Sequence, residues 1–382
     1  MTSRERVVTA LRRQQPDRVP VMCQLSIGHY LVNLDLDPAE YWLSNELIAK
    51  AYVELAWRYH FDGILVNLPG RTPDAAAYVE SIERIPTGQV IHYRDGSECK
   101  CPVADLPTQV SGEQPSLEEI DPGLLYYEDP HTLGGLKYPF HYDFERGDDY
   151  FPEYLFALID RVVETVAGEL SVHGEVFSPF TQLMERLGYE QGLMALLEQP
   201  AKCKAILAQF ARGAADLATR QASRGVDAVL ISSAFAGGGF ISRAMYEEFV
   251  LPYEDEVAAA IHRAGTVAYT HTCGAIGDRL EFMAATGIDG IDTMDPPPLG
   301  DTDLADAKAR VGGKLFLKGN IDSVNVLLRG TPEEVRRSAL SRIQAAAAGG
   351  GYILSSACSV APRVPPENLQ VLYDVASTEG LY

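Results

Sequence analysis

Short runs of apolar and β-branched residues recur along this chain, and most are followed by a stretch in which apolar positions return at helical spacing. The runs are RVPVMCQLS (18–26), DGILVNL (62–68), ELSVHGEVFS (169–178), VDAVLISSA (226–234), GTVAYTHT (265–272), IDGIDTM (288–294), KLFLKGN (314–320) and GYILSSA (351–357). Strands covered on both faces read as unbroken apolar runs, so the pattern predicts buried parallel strands. Helices are clearest where they are punctuated. PEEVRRSALSRIQAAAAGGG (332–351) opens with an early Pro and ends in glycines suited to a C-cap, and DEVAAAIHRAG (255–265) and DRLEFMAATG (278–287) also end in Gly. Eight strand runs, with helices after most of them, predict an α/β fold of the (β/α)8 TIM-barrel type.

The spacing breaks once, between the second and third runs. Residues 69–168 read as a long insertion in one domain spanning 1–382. VIHYRDGSECKCPV (90–103) predicts a hairpin turning at Asp95-Gly96, and the stretch 126–156 is dense in Tyr and Phe. An insertion after a barrel strand lies over the face where catalytic groups collect, which predicts a cap or substrate wall.

Composition narrows the function. The net charge of −21 disfavours nucleic acid and anionic membrane as partners. The opening MTSRERVVTALRR predicts an amphipathic helix with Thr2 and Glu5 spaced as a capping box. It has no apolar signal region, and no apolar run in the chain approaches the ~20 residues of a membrane span, so a cytoplasmic location is expected. Six cysteines scattered over 382 residues do not form a disulfide framework, which leaves free thiols or metal ligands. Oligomeric state is not legible.

Candidate chemistry begins in YTHTCGAIGD (269–278). His271 and Cys273, at i and i+2 of an extended segment, point the same way at the C-terminal end of the fifth run. Three protein ligands with one open position form a catalytic zinc pattern, and Cys358 closes the eighth run at the same face. Buried free Cys is common, however, and taken alone the three residues stay open between metal ligation and ordinary packing. A rival set is Cys99 and Cys101 on one face of the hairpin, with His92 opposite. Cys23 and Cys203 read as core or helix-surface residues. Glu175, ending the third run, is a candidate fourth ligand, general acid or substrate contact, or merely a helix cap. Asn67, Asp292, His29 and Asn320 are candidate substrate-binding residues, each equally able to serve loop backbone; His29 reads by default as an exposed loop residue. Asn320 and Asp322 in KGNIDS can shape the mouth without reacting. Gly237–Gly239 lacks the spacing of a phosphate loop.

The opening TSRERVVTALRRQQPDRVPV, the segment 225–253 and the segment 316–375 resemble the uroporphyrinogen decarboxylase family, whose fold is a (β/α)8 barrel. The resemblance covers most of the chain outside the insertion. It implies one of two chemistries. The decarboxylases carry an Arg-rich segment after the first strand, where this chain has QLSIGHYLV (24–32). They place an Asp after the second strand, where it has NLPGR (67–71), and a His near the last strand, where it has Cys358. The zinc methyltransferases of the family carry His-x-Cys and a distant Cys, matching His271, Cys273 and Cys358.

The resemblance therefore implies a zinc-dependent methyltransferase that exchanges a methyl group, from or to a thiol or methyl ether, with a methylcobalamin-type corrinoid. The aromatic stretch 126–156 leans slightly toward an aromatic ether, unless it is the insertion's own small core. The zinc methyltransferases of the family work with corrinoid proteins, so the resemblance implies that the corrinoid is carried by a partner protein. The alternatives are a divergent decarboxylase-type lyase and a barrel that binds a small molecule or corrinoid without turnover.

Overall fold

The computed structural model describes residues 1–109, 116–129 and 150–382. Among the described residues, eleven strands form two sheets. The larger comprises β1 (Gly63–Val66), β6 (Ser171–Phe177), β7 (Ala228–Ser232), β8 (Val267–Thr272), β9 (Gly290–Thr293), β10 (Phe316–Ile321) and β11 (Tyr352–Ser356), all parallel and in that spatial order. Seven of the eight expected runs are thus regular strands. β1, β7, β9, β10 and β11 are buried at every position, as expected for strands covered on both faces.

The first run, 18–26, is not a regular strand and makes only isolated bridges. It nevertheless lies between the two outer strands of the sheet. Leu354 N donates to Pro20 O at 2.9 Å and Met22 N to Leu354 O at 3.0 Å on one side; Asp62 N donates to Val21 O at 2.7 Å on the other. Pro20, third in the run, has no N–H to offer, which removes one ladder bond near its start. The result is a mixed α/β arrangement of TIM-like type, with helices packed around a parallel sheet.

Two apolar layers hold it together. Met22, Leu65, Leu230, Tyr269, Phe316 and Ile353 point into the sheet's interior, and Val7, Ala10 and Leu11 of the helix Ser3–Leu11 close it from below. The capping box of Thr2 and Glu5 starts that helix. The second and larger layer lies between the sheet and its outer helices. The helix Pro332–Ala346 begins at a capping box of Thr331 and Glu334 and stops before Gly349–Gly351, all of positive φ. The predicted helix at 278–287 is only one turn, Leu280–Met283, whereas that at 255–265 starts earlier, at Leu251.

Between β1 and β6 the chain forms the second sheet, antiparallel in the order β2 (Val79–Ile85), β3 (Gly88–Tyr93), β4 (Glu98–Pro102), β5 (Thr108–Gln109). The β3–β4 turn falls at the predicted place. Gly96 takes φ +84°, and Asp95 Oδ1 accepts from Ser97 N at 2.9 Å. Much of the aromatic stretch 126–156 lies outside the described residues. Of the rest, Tyr126, Tyr127, Tyr150 and Phe151 pack on one another with ring centroids 4.7 to 6.0 Å apart. No helix among the described residues is long and apolar enough to cross a membrane.

Candidate metal centre

Strand alternation places the site. Tyr269 of β8 belongs to the interior layer, so His271 two residues on faces the interior one level higher, and Cys273 follows just past the strand end. Gly274 turns the chain there with φ +78°, and its N–H donates to Asp295 Oδ2 at 2.7 Å. Across the sheet, Cys358 lies two residues beyond β11. Its N–H donates to Ser323 Oγ at 3.0 Å, and Ser323 Oγ donates back to Cys358 O at 3.1 Å. Both loops are thereby pinned before any ligand is considered.

The three side chains converge. Cys273 Sγ lies 3.4 Å from His271 Nε2 and 3.8 Å from Cys358 Sγ, and Cys358 Sγ lies 4.0 Å from His271 Nε2. Tetrahedral zinc, with bonds of about 2.3 Å to sulfur and about 2.1 Å to nitrogen, requires S···S near about 3.8 Å and N···S near about 3.6 Å. The observed triangle brackets those values, so the residues fit a zinc ion with one exchangeable position. His271 is 6% exposed, while the two cysteines are partly open to the mouth. Among the described residues this is the one cluster of three or more His, Cys, Asp or Glu side chains arranged to hold a metal.

On its other face, His271 Nδ1 is buried and makes no hydrogen bond, with a carboxylate as its near neighbour. His271 Nδ1 lies 3.5 Å from Asp292 Oδ2, which accepts from Lys318 Nζ at 2.8 Å. Burial acts to lower the His271 pKa, but the Asp292 carboxylate and the Cys358 sulfur outweigh it and raise it to about 10. The Cys358 thiol is pushed well down by the hydrogen bond from Cys273 and by His271. Cys273 is pushed up by its bond to Cys358 and by burial. Burial acts to raise Asp292, yet Lys318 and His271 hold it at about 2.

The remaining candidates separate. Glu175 in β6 and Asn67 just past β1 line a small pocket with Tyr127, Asp129, Phe151 and Phe177. Asn67 Oδ1 accepts from Tyr52 OH at 2.7 Å. Asn320 is buried, and its Nδ2 donates to Met294 O at 2.7 Å. Asp322 Oδ1 accepts from Val324 N at 2.9 Å and Asn325 N at 2.7 Å, shaping the loop after β10.

Two expectations are corrected. His29 is no exposed loop residue: it lies on the helix Ile27–Asn33, fully buried, with Nδ1 3.1 Å from Ala361 O and Nε2 3.0 Å from Tyr59 OH. The rival set does not assemble. Cys99 and Cys101 are buried with sulfurs 4.0 Å apart, whereas His92 sits on the opposite face of the sheet between Glu83 and Glu98. Cys23 and Cys203 are buried free thiols.

Sequence reading missed Lys318, hidden inside the apolar run KLFLKGN. The available signal was the lysine itself, since a Lys within a buried strand is almost never fully buried without a partner. It also gave Gly237 no role; a Cβ there would lie 2.2 Å from Cys273 O.

Comparison with known proteins bears on this geometry. Residues 143–378 match the family model described as uroporphyrinogen decarboxylase (URO-D). Over 382 aligned residues the chain is 24% identical to a methylcobamide:CoM methyltransferase, MtbA, of Methanosarcina mazei, covering 98% of this chain and 97% of that protein. Over 389 aligned residues it is also 24% identical to a uroporphyrinogen decarboxylase of Alkalilimnicola ehrlichii, covering 97% and 92%. Among solved structures, a methyltransferase from Methanosarcina mazei superposes with a TM-score of 0.73 at 19% identity, over 99% of this chain and 98% of that one. At that identity the likeness is one of fold.

Proposed function

The chain belongs to the uroporphyrinogen decarboxylase family, and within it we propose a zinc-dependent methyltransferase built on a single (β/α)8 barrel with 69–168 as its inserted cap. It moves a methyl group between a small-molecule thiol or methyl ether and a corrinoid carried by a separate protein. Overall identity does not choose between the family's two chemistries, being 24% to a full-length relative of each kind. The observation that carries the choice is the convergence of His271, Cys273 and Cys358 at zinc-ligand spacing. The methylcobamide named in the Methanosarcina mazei relative fits the same reading.

His271 would bind through Nε2, and Cys273 and Cys358 through Sγ. When bound, zinc supplies a Lewis acid with one exchangeable position, which favours a thiolate at neutral pH or a better oxygen leaving group. The chain's own residues do the rest. Cys273 would release its thiol proton to solvent on binding the metal, and the Ser323 and Asp295 bonds hold both cysteine loops so that the sulfurs stay together without metal. Glu175 stands at the β1–β6 edge of the mouth, able to orient substrate or carry a proton at its carboxyl. Asn67 and Asn320 offer amide contacts at the same end of the sheet. Nothing in this arrangement asks His29 to leave its two partners.

The lyase reading retains the support of the decarboxylase relatives. Against it stand the absence of any Arg in 24–32 and the presence of Cys358 in the ligand triangle. Metal analysis of the purified chain separates the two. The methyltransferase should carry about one zinc per chain, lost in Cys273→Ser, His271→Ala and Cys358→Ser together with methyl exchange against methylated corrinoid. Zinc retained by all three variants would sink the site. Corrinoid binding without exchange of the methyl group under any acceptor would instead favour a non-catalytic barrel.

A further inference from the structure

We infer that Asp292 and Lys318 are a positioning pair for the metal ligand His271. The inference rests on the zinc reading and deepens it. The three residues form one row: His271 of β8 is in register with Asp292 of β9, which is in register with Lys318 of β10. All three face the interior at the same level and are 6%, 2% and 1% exposed. Asp292 is held at both oxygens. Oδ1 accepts from Thr293 N at 2.9 Å, while Oδ2 accepts from Lys318 Nζ at 2.8 Å and faces His271 Nδ1 at 3.5 Å. Nδ1 has no hydrogen-bond partner and Asp292 Oδ2 is the carboxylate facing it, so a shift of a few tenths of an ångström would let this fixed carboxylate accept from Nδ1–H, setting the tautomer and presenting Nε2 to the side where both sulfurs lie.

Charge explains the lysine. Zinc with two thiolates and a neutral imidazole is neutral, so a lone carboxylate behind the imidazole would leave the buried centre with a net negative charge. Lys318 cancels that charge from inside the sheet, where water cannot. The pair thus lets Asp292 orient His271 without weakening the Lewis acidity that the reaction needs. Asp292 would then face the metal centre in place of the substrate contact that its position at a strand end had implied.

The test is zinc affinity of the full chain, measured by competition with a chromophoric chelator, together with the absorption spectrum of the cobalt(II)-substituted protein. Asp292→Asn should weaken zinc binding by about 10- to 100-fold and shift the cobalt ligand-field bands, while the thiolate-to-cobalt absorption of both cysteines persists. Lys318→Met should weaken binding as well, and the double variant should bind no worse than Asp292→Asn alone, because the two act as a unit. Lys318→Arg should recover affinity relative to Lys318→Met. Affinity within twofold of wild type in both single variants, with unchanged cobalt bands, overturns the inference. If Asp292→Asn does not fold, Lys318→Met and Lys318→Arg decide in the same terms. Failure of the underlying zinc reading looks different, since the wild type itself would then bind no zinc.

Discussion

Gly237 approaches the carbonyl oxygen of Cys273 so closely that an added Cβ would sit 2.2 Å from it, against backbone that cannot rotate away. Gly237→Ala should therefore cost about 1–3 kcal/mol in chemical denaturation and also weaken zinc at the proposed site, since the displaced carbonyl belongs to Cys273. Glu254 makes a second case at this scale. It is fully buried on the helix Leu251–Arg263, accepts from Tyr246 OH at 3.2 Å, and burial raises its pKa from 4.5 to about 7. A carboxyl raised on folding favours the protonated state. Its contribution is present below the unfolded value near 4.5 and is lost as pH climbs through about 7. Glu254→Gln should flatten that dependence and be the more stable protein at pH 8, by an amount on the order of 3 kcal/mol. Urea unfolding at pH 5 and pH 8 reads the difference; equal slopes in both proteins would refute it.

At the scale of elements, a buried carboxylate joins segments that the sheet alone leaves loose. Asp62, just before β1, accepts from Arg6 Nη1 at 2.7 Å, from both Arg18 Nη atoms at 2.9 Å and from Val21 N at 2.8 Å. It thus ties the N-terminal helix, the irregular first run and β1 at one point. Removing a partner from a buried ion pair leaves the others uncompensated, so Asp62→Ala should cost about 3–5 kcal/mol, read as a lowered urea midpoint. Thr331→Ala, which removes only a helix cap, should cost about 1 kcal/mol. Element positions were largely legible in the sequence because apolar periodicity, Pro and Gly act within a few residues. The first run was the exception: RVPVMCQLS has a strand's composition, but Pro20 removes one of its ladder bonds, and its place is set by partners at 62 and 354.

For the whole molecule, a zinc ion at the proposed site should act as a folding ligand. Free zinc at about 1,000 times its Kd stabilises the folded state by about 4 kcal/mol, so a chelator should lower the melting temperature of wild type and leave that of Cys273→Ser unchanged. Zinc binds a neutral imidazole and thiolates, so its binding displaces whatever protons these side chains carry. Apparent zinc affinity should therefore fall between pH 8 and pH 6, with protons released on binding; calorimetry in buffers of different ionisation enthalpy counts them.

The sequence by itself determined the parallel strands, the capped helices, the hairpin at Asp95-Gly96, and the shared direction of His271 and Cys273. Each follows from spacing within a single element. Only the tertiary structure decided that Cys358, 85 residues beyond Cys273, completes a triangle with sides between 3.4 and 4.0 Å. It also decided that Asp292 and Lys318 stand in a row behind His271, and that His29 is sealed between Tyr59 and Ala361. The reason is physical. The face a side chain takes along a strand is a local, period-two property, whereas the level at which neighbouring strands meet depends on the register of the whole sheet.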